Sequence, residues 1–374
     1  MQVLIAPDKF KGTLSALEAA QAMAEGVLRV YPDAQVQLLP MADGGEGTVA
    51  AAVEAGFEER LTAVVGPILK PTGAVWALNG TTAVIETAQA SGFLLAERNP
   101  ENALRAHSYG CGQLIAAALD AGATEIVLGL GGSAMTDGGT GALRALGLQL
   151  LDRHGTLLPL GGGPLADAVA IDASGLDPRL ASVQIRLAVD VDNPLSGPDG
   201  AAHVFASQKG ADGAGVELLD VGLRNLASLL RQEAGADVNV AGAGAAGGFP
   251  ASFLAFAGRQ IGSVRIEPGA QLVGELVGLD AKLAAADLLL TGEGSVDAQS
   301  LAGKTPVAVA RKAQQAGVPV VLVAGQISVG FEELTALGVV AAASLVEVAR
   351  GADAALAEPA RYLALATAEA LNGI

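Results

Sequence analysis

The sequence predicts an α/β protein, and three observations support this prediction. Short apolar runs alternate with longer helical patterns at both ends of the chain. Fifty of the 374 residues are glycine and only 3% are aromatic, as expected for many tight strand-to-helix turns. The chain is 51% hydrophobic, enough for a folded core without disulfides or a structural metal. Apolar runs between helices are typical of a parallel sheet covered on both faces.

The elements near the two ends are predicted from apolar runs and capping signals. Ser15, with Glu18 three residues later, forms a capping-box pattern that begins a helix extending to about residue 30. Further helices are predicted at 47–55, at 306–316, from 331 and at 359–371. Strands are predicted at 3–6, 36–39, 288–290, 318–324 and 339–345. Five strands are the number in a flavodoxin-like doubly wound parallel sheet.

The middle of the chain has longer glycine-rich connections, with strands predicted at 74–78, 83–86, 126–129, 148–151 and 185–191. The length also fits about two domains, at roughly 150 residues each. We therefore predict a flavodoxin-like domain made of residues 1–60 plus 285–374. A second, mixed-sheet α/β domain, residues 61–284, is inserted into it.

Composition excludes several classes of partner. The net charge of −17 and the pI of about 4.5 oppose contact with nucleic-acid phosphates. A single cysteine, Cys111, excludes an internal disulfide and a cysteine-based zinc site. The N-terminus lacks a signal-peptide pattern, and glycines and Pro250 interrupt the one long uncharged stretch, 238–258. We expect a cytoplasmic protein without nucleic-acid or membrane partners; the sequence does not determine its oligomeric state.

Six segments near predicted strand ends combine glycine with charged or hydroxyl residues: 8–12, 43–48, 129–133, 190–194, 208–210 and 291–305. Open α/β sheets bind ligands at the carboxyl ends of their strands, where glycine lets the backbone approach a phosphate. Four of the seven lysines lie in these segments, namely Lys9, Lys11, Lys209 and Lys304. The pattern favours a phosphorylated ligand; the alternative for each lysine is a solvated surface charge.

Paired acidic residues suggest a metal or proton-transfer role. Asp190 and Asp192, two apart on a predicted strand, would share one face. Such carboxylates can hold Mg²⁺ or accept a proton from a hydroxyl, although residues 192–194 also fit a simple Asx turn. Asp43 fits the same picture. Other acidic candidates are Glu46, Asp137, Glu293 and Asp297.

Two familiar nucleotide motifs are matched only in part. The Gly303-Lys304-Thr305 triplet resembles the end of a P-loop, but Ala298 stands where that motif needs glycine. Gly242, Gly244 and Gly247 have the spacing of a dinucleotide fingerprint without a clear strand before them. Two alternatives therefore stay open beside a phosphotransferase: a non-catalytic protein that binds an anionic metabolite, and an NAD-dependent oxidoreductase.

Together the motifs closely resemble those of the bacterial glycerate kinases of the first type. The resemblance extends over nearly the whole chain, in the family's order, through DKFKGTLS (8–15), PMADGGEGT (40–48), GGSAMTDGG (131–139), DNPLSGP (192–198), QKGA (208–211), GAAGG (244–248) and TGEGSVD (291–297). Small departures are Met135-Thr136, where the family has Thr-Asn, and Ala206-Ser207, where it has Gly-Pro. The resemblance implies ATP-dependent phosphorylation of D-glycerate with Mg²⁺, and favours 2-phospho-D-glycerate over the 3-phospho product.

The chemistry of phosphoryl transfer assigns expected roles to the candidates. Asp190 would orient or deprotonate the attacking hydroxyl, with Lys9 and Lys11 as the other catalytic residues. Asp43 and Asp192 would hold the metal, although the division of roles among the acids stays open. Substrate or phosphate binding is expected of Asp8, Gly131, Gly132, Ser133, Lys209, Gly292, Glu293, Gly294, Asp297 and Lys304.

Overall fold

A computed structural model describes residues 1–298 and 300–374. The chain divides into two compact units. The first consists of Met1–Asp43, Ala50–Gly56 and Pro268–Ile374, and the second of Gly44–Val49 and Phe57–Glu267. The predicted domain limits at residues 60 and 285 stay a prediction, because compactness does not show which segments fold independently.

Strands and helices alternate along most of the described chain. The strands are β1 (Gln2–Ile5), β2 (Gln35–Leu38), β3 (Glu58–Val65), β4 (Pro71–Asn79), β5 (Thr82–Glu86), β6 (Glu125–Gly129), β7 (Gln149–Leu151), β8 (Ala170–Asp172), β9 (Gln184–Ala188), β10 (Ser263–Glu267), β11 (Leu288–Thr291), β12 (Ser295–Val296), β13 (Val320–Ala324), β14 (Gln326–Ile327) and β15 (Val339–Ser344). The helices are α1 (Ala16–Val30), α2 (Thr48–Glu54), α3 (Thr87–Ser91), α4 (Pro100–Arg105), α5 (Tyr109–Asp120), α6 (Thr140–Ala145), α7 (Ala201–Phe205), α8 (Gly213–Ala234), α9 (Ala245–Phe256), α10 (Gly269–Leu276), α11 (Leu279–Leu283), α12 (Thr305–Ala316), α13 (Phe331–Thr335), α14 (Leu345–Ala349), α15 (Ala352–Ala357) and α16 (Pro359–Leu371).

The first unit is built on a five-stranded sheet in the order β15-β13-β11-β1-β2, and every neighbouring pair is parallel. Numbered within the unit this is the 2-1-3-4-5 order of a flavodoxin-like sheet. Successive side chains of a strand face opposite sides. Leu4 accordingly packs in one cluster with residues of α10 and α12, and Val3 in another with residues of α1 and α16. Helices therefore cover both faces, and the predicted fold class is confirmed.

The second unit contains a six-stranded mixed sheet in the order β10-β9-β6-β5-β4-β3. Its β3–β4 and β4–β5 pairs are antiparallel, and the pairs joining β5, β6, β9 and β10 are parallel. The predicted strand at 148–151 forms β7, which pairs with β8 outside this sheet. The predicted strand at 185–191 is too long, because β9 ends at Ala188. Within the described residues, we find no helix that is both long and apolar enough to cross a bilayer.

Candidate active site

In the first unit, the loops after β1 and β11 meet at the carboxyl edge of the sheet. The two strands are parallel neighbours, and the Asp8 N–H donates to the Gly292 carbonyl oxygen at 2.9 Å. In the sheet, β2 lies on one side of β1 and β11 lies on the other, so the connections after β1 and β11 lead in opposite directions. This is the switch point at which doubly wound sheets bind ligands.

Asp8 occupies a buried position in this edge, with only 5% of its surface exposed. Its Oδ2 accepts a 2.6 Å hydrogen bond from the Thr305 hydroxyl, and its Oδ1 accepts from the Lys9 N–H. Burial, and to a lesser degree the nearby Asp43 carboxylate, raise the pKa of Asp8 to about 6 against the opposing effects of Lys9 and these hydrogen bonds. The carboxyl group therefore changes charge close to neutral pH.

The loop after β2 brings Asp43 to the same edge. The Met41 N–H donates to the Pro7 carbonyl oxygen, so the chain beyond β2 continues alongside the end of β1. The Lys9 ammonium then lies 3.8 Å from Asp43 Oδ1, and both side chains are partly exposed. An exposed pair at this distance contributes little to stability. Lys11 is exposed on the next turn.

The loop after β11 carries the remaining candidates of the first unit. Glu293 Oε1 accepts from the Ser300 hydroxyl at 2.7 Å, and Asp297 Oδ1 accepts from the Ser300 N–H at 3.0 Å. Burial raises the pKa of Glu293, and the charges of Asp8 and Asp297 raise it further. The Ser300 hydrogen bond and the charge of Lys304 lower it. Gly294 packs closely on the turn after β1, since a Cβ there would lie 3.3 Å from the Lys11 nitrogen. The structure thus brings the predicted acids and lysines of this unit together.

In the second unit, three parallel strands end together in register, with Glu86 beside Gly129 and Gly129 beside Ala188. Asp190 lies two residues beyond this edge and is exposed, as is Asp192. Both follow the end of β9, so the prediction that they share one face of a strand is wrong. They lie instead in the loop that leads to α7.

Glycines at the end of β6 and in the loop after it pack against the segment Gly44–Val49. A Cβ at Gly129 would lie 2.7 Å from the Gly44 carbonyl oxygen, and one at Gly131 would lie 2.6 Å from the Gly45 Cα. Close backbone packing therefore requires glycine at both positions. The dihedral φ of Gly132 is +72°, a left-handed conformation that favours glycine for a second reason.

Glu86 fixes the same segment, and sequence analysis did not identify it. Its side chain is buried, and Oε1 accepts from the N–H groups of Gly47 (3.1 Å) and Val49 (2.7 Å). The available signal was an acidic residue at the end of the apolar run 83–86.

Lys209 is buried against the loop that follows β6. Its Nζ donates to the Met135 carbonyl oxygen at 2.5 Å and lies 3.4 Å from the Ser133 hydroxyl. Burial lowers the pKa of Lys209 to about 7, and the charge of Asp137 opposes this shift. Asp137 itself accepts from the N–H groups of Ser108, Gly139 and Gly141, so it holds the backbone in place.

The GAAGG segment (244–248) packs onto the same loops. The Gly138 N–H donates to the Gly247 carbonyl oxygen, and the Gly244 N–H donates to the Asn193 carbonyl oxygen. Residues 246–248 are left-handed, with Ala246 at φ +49°. No strand occurs in residues 235–244, all of them described, so the segment lacks the βαβ context of a dinucleotide fingerprint.

The candidates therefore divide between the two units. In the first unit lie Asp8, Lys9, Lys11, Asp43, Gly292, Glu293, Gly294, Asp297 and Lys304. In the second lie Gly131, Gly132, Ser133, Asp190, Asp192 and Lys209. Among residues 1–298 and 300–374, we find no cluster of three histidine, cysteine or acidic side chains arranged to hold a metal.

Comparisons with known proteins agree with the motifs. The model of the glycerate kinase family matches residues 3–374. A glycerate kinase of Halalkalibacterium halodurans is 42% identical over 374 residues and 97% of each chain. The glycerate 2-kinase of Escherichia coli is 43% identical over 332 residues, which cover 88% of this chain and 86% of that one. The crystal structure of glycerate kinase 2 from Salmonella typhimurium superposes with a TM-score of 0.84 at 38% identity, covering 100% of this chain and 98% of that one. This chain therefore belongs to the glycerate kinase family, a family of phosphotransferases.

Proposed function

We propose that this protein transfers the terminal phosphoryl group of ATP to the 2-hydroxyl of D-glycerate, giving 2-phospho-D-glycerate and ADP. The proposal is supported by the family and by the relative named glycerate 2-kinase. The structural observation that carries it is the group of lysines and acids at the switch point of the first unit. Because the proposed reaction consumes ATP, the proposal includes a location in the cytoplasm, where ATP is available.

Direct in-line transfer requires positioning and charge more than covalent chemistry. In this proposal the Lys9 and Lys11 ammonium groups offset the charge that spreads over the transferring phosphoryl oxygens. Lys304 acts on the nucleotide phosphates from the loop before α12. The glycine-rich loops at 131–133 and 292–294 present backbone N–H groups to phosphate oxygens.

Asp190 is assigned the role of orienting or deprotonating the attacking hydroxyl. Asp190 is exposed in the loop that follows β9 and leads to α7. In a loose transition state the hydroxyl proton leaves late. The rate enhancement from this base is therefore expected near the lower end of the usual range of roughly 10²–10⁴-fold.

Magnesium would be held mainly through the nucleotide. Because three protein ligands do not cluster in the described chain, the fit is to an ion that keeps phosphate and water ligands and takes one or two carboxylates. The carboxylate proposed for it is Asp43 of the first unit or Asp192 of the second. Bound Mg²⁺ would neutralise charge on the phosphate oxygens.

The first experiment measures glycerate-dependent ADP release by the wild-type enzyme and by Asp190→Asn over a series of Mg²⁺ concentrations. We expect a loss in kcat of roughly 10²–10⁴-fold that added metal does not restore. Asp199→Asn, an exposed aspartate in the same loop, is the matched control and keeps wild-type turnover. Recovery with Mg²⁺ would make Asp190 a metal ligand, and unchanged turnover would remove it from the site.

A further inference from the structure

The second unit contains a pocket, lined in part by Lys209, to which the proposed function above assigns no ligand. One wall comes from the segment 93–106, and the other from Ala134 and Lys209. The space, including its open mouth, is about 220 Å³. The enclosed part is only about 10 Å³, roughly the room of one water molecule, so the pocket can take the end of a small polar group but no nucleotide.

One of the lining residues, Lys209, is a buried cation. Only 6% of Lys209 is exposed, and the protein acceptors of its ammonium group, Met135 O and Ser133 Oγ, are neutral. Within residues 1–298 and 300–374 we find no acidic side chain that forms an ion pair with it. Burial lowers the pKa of Lys209 to about 7, so an anion bound here would stabilise the charged form.

A second cation, the exposed Arg98, lines the same pocket. The Arg98 guanidinium lies 4.8 Å from the centre of the Phe93 ring, which favours its position over the aromatic face. Among the described residues we find no carboxylate within ion-pair distance of Arg98. Glu97 also lines the pocket, so the lining carries two cations and one carboxylate.

The two walls are held together by close backbone packing. Gly210 follows Lys209 at φ +106°, and a Cβ there would lie 2.6 Å from the Asn99 nitrogen and 2.8 Å from the Arg98 carbonyl carbon. The opposite wall is ordered by Asn102, whose side-chain amide donates to the Glu97 carbonyl oxygen at 2.9 Å. The backbone at Arg98 and Asn99 is therefore held against the backbone that follows Lys209.

We propose that Arg98 and Lys209 together bind the carboxylate of glycerate, which makes Arg98 a residue that determines substrate specificity. This inference rests on the proposed function. A guanidinium can bind a carboxylate with two parallel hydrogen bonds, while an ammonium acts as a point charge. The small pocket favours the carboxylate over a nucleotide phosphate, which offers similar oxygen acceptors on a larger molecule.

The test compares Arg98→Ala with Arg105→Ala in steady-state kinetics for both substrates. Arg105 ends α4 and pairs with Glu101 at 2.6 Å on the surface, so it is a matched arginine outside the pocket. We expect Arg98→Ala to raise the KM for D-glycerate at least tenfold and to change the KM for ATP less than twofold. The KM of Arg98→Lys for D-glycerate should lie between those of the wild type and Arg98→Ala, because lysine keeps the charge but lacks the planar guanidinium.

An unchanged KM for glycerate in Arg98→Ala would overturn the proposal. A rise only in the KM for ATP would also overturn it, because the pocket would then bind a nucleotide phosphate. If wild-type enzyme turns over no glycerate, the proposed function fails separately. Titration calorimetry with D-glycerate then decides on the pocket. Binding that is at least tenfold weaker in Arg98→Ala supports it; equal binding, or none by the wild type, overturns it.

Discussion

The carboxyl group of Asp8 lies in a site that opposes its ionisation. It is buried, it faces the charge of Asp43, and its pKa of about 6 exceeds the 3.8 of an ordinary aspartate. The folded protein therefore binds this proton more tightly than the unfolded chain does. The resulting stabilisation is complete below about pH 3.8 and is lost as the pH rises through about 6.

Asp8→Asn removes this titration and is expected to flatten the pH dependence of stability. From pH 4.5 to 7.5, the wild-type free energy of unfolding should fall relative to that of the variant by about 2 kcal/mol. Urea unfolding at the two pH values measures the difference. Asp33→Asn, at an exposed turn, is the control and should track the wild type. Parallel curves for the wild type and Asp8→Asn would contradict the assignment.

Lys9 and Lys11 flank Phe10, which is buried in the core of the first unit and anchors the turn after β1. Replacing either lysine by alanine is expected to lower kcat/KM at least tenfold, about 1.4 kcal/mol of transition-state stabilisation. Lys70→Ala, at an exposed turn of the second unit, serves as the control. Wild-type kinetics in both variants would exclude these lysines from the site.

At the scale of single elements, sequence predicts best what is decided locally. The capping box before α1 forms as predicted: Glu18 Oε2 accepts from the Ser15 N–H, and Ser15 Oγ accepts from the Glu18 N–H. In contrast, β3 and β10 were not predicted. Both are edge strands of the mixed sheet with few buried side chains, so neither has the apolar run of a central strand.

The turn between Lys209 and α8 depends on the conformation and small size of Gly210. Gly210→Ala would place a Cβ in a left-handed residue and against the Asn99 nitrogen, and we expect a loss of about 2 kcal/mol or more in the free energy of unfolding. Gly213 is the first residue of α8, and a Cβ there would meet open space. The free energy of unfolding of Gly213→Ala should therefore stay within about 0.5 kcal/mol of the wild-type value. Denaturant unfolding of the two variants makes the comparison. Equal stability would show that the turn tolerates a side chain.

At the scale of the whole molecule, the sequence predicts the two sheets and the types of residue in the site. Most of the motif lysines and acids could be proposed as candidates because they lie beside strand ends that are readable from the chain. The roles of Glu86 and Asp137 could not, since they depend on backbone groups up to 39 and 29 residues away in the chain. The same is true of Arg98, whose position depends on contacts with Phe93 and Gly210.

The central claim is that this member of the glycerate kinase family phosphorylates the 2-hydroxyl of D-glycerate with ATP. Phosphorus NMR of a reaction containing the purified protein, D-glycerate, ATP and Mg²⁺ tests it most directly, with authentic 2- and 3-phospho-D-glycerate as references. We predict that ADP appears together with the signal of 2-phospho-D-glycerate, and that both require glycerate. The signal of 3-phospho-D-glycerate, or ATP left intact in the presence of glycerate, would contradict the account.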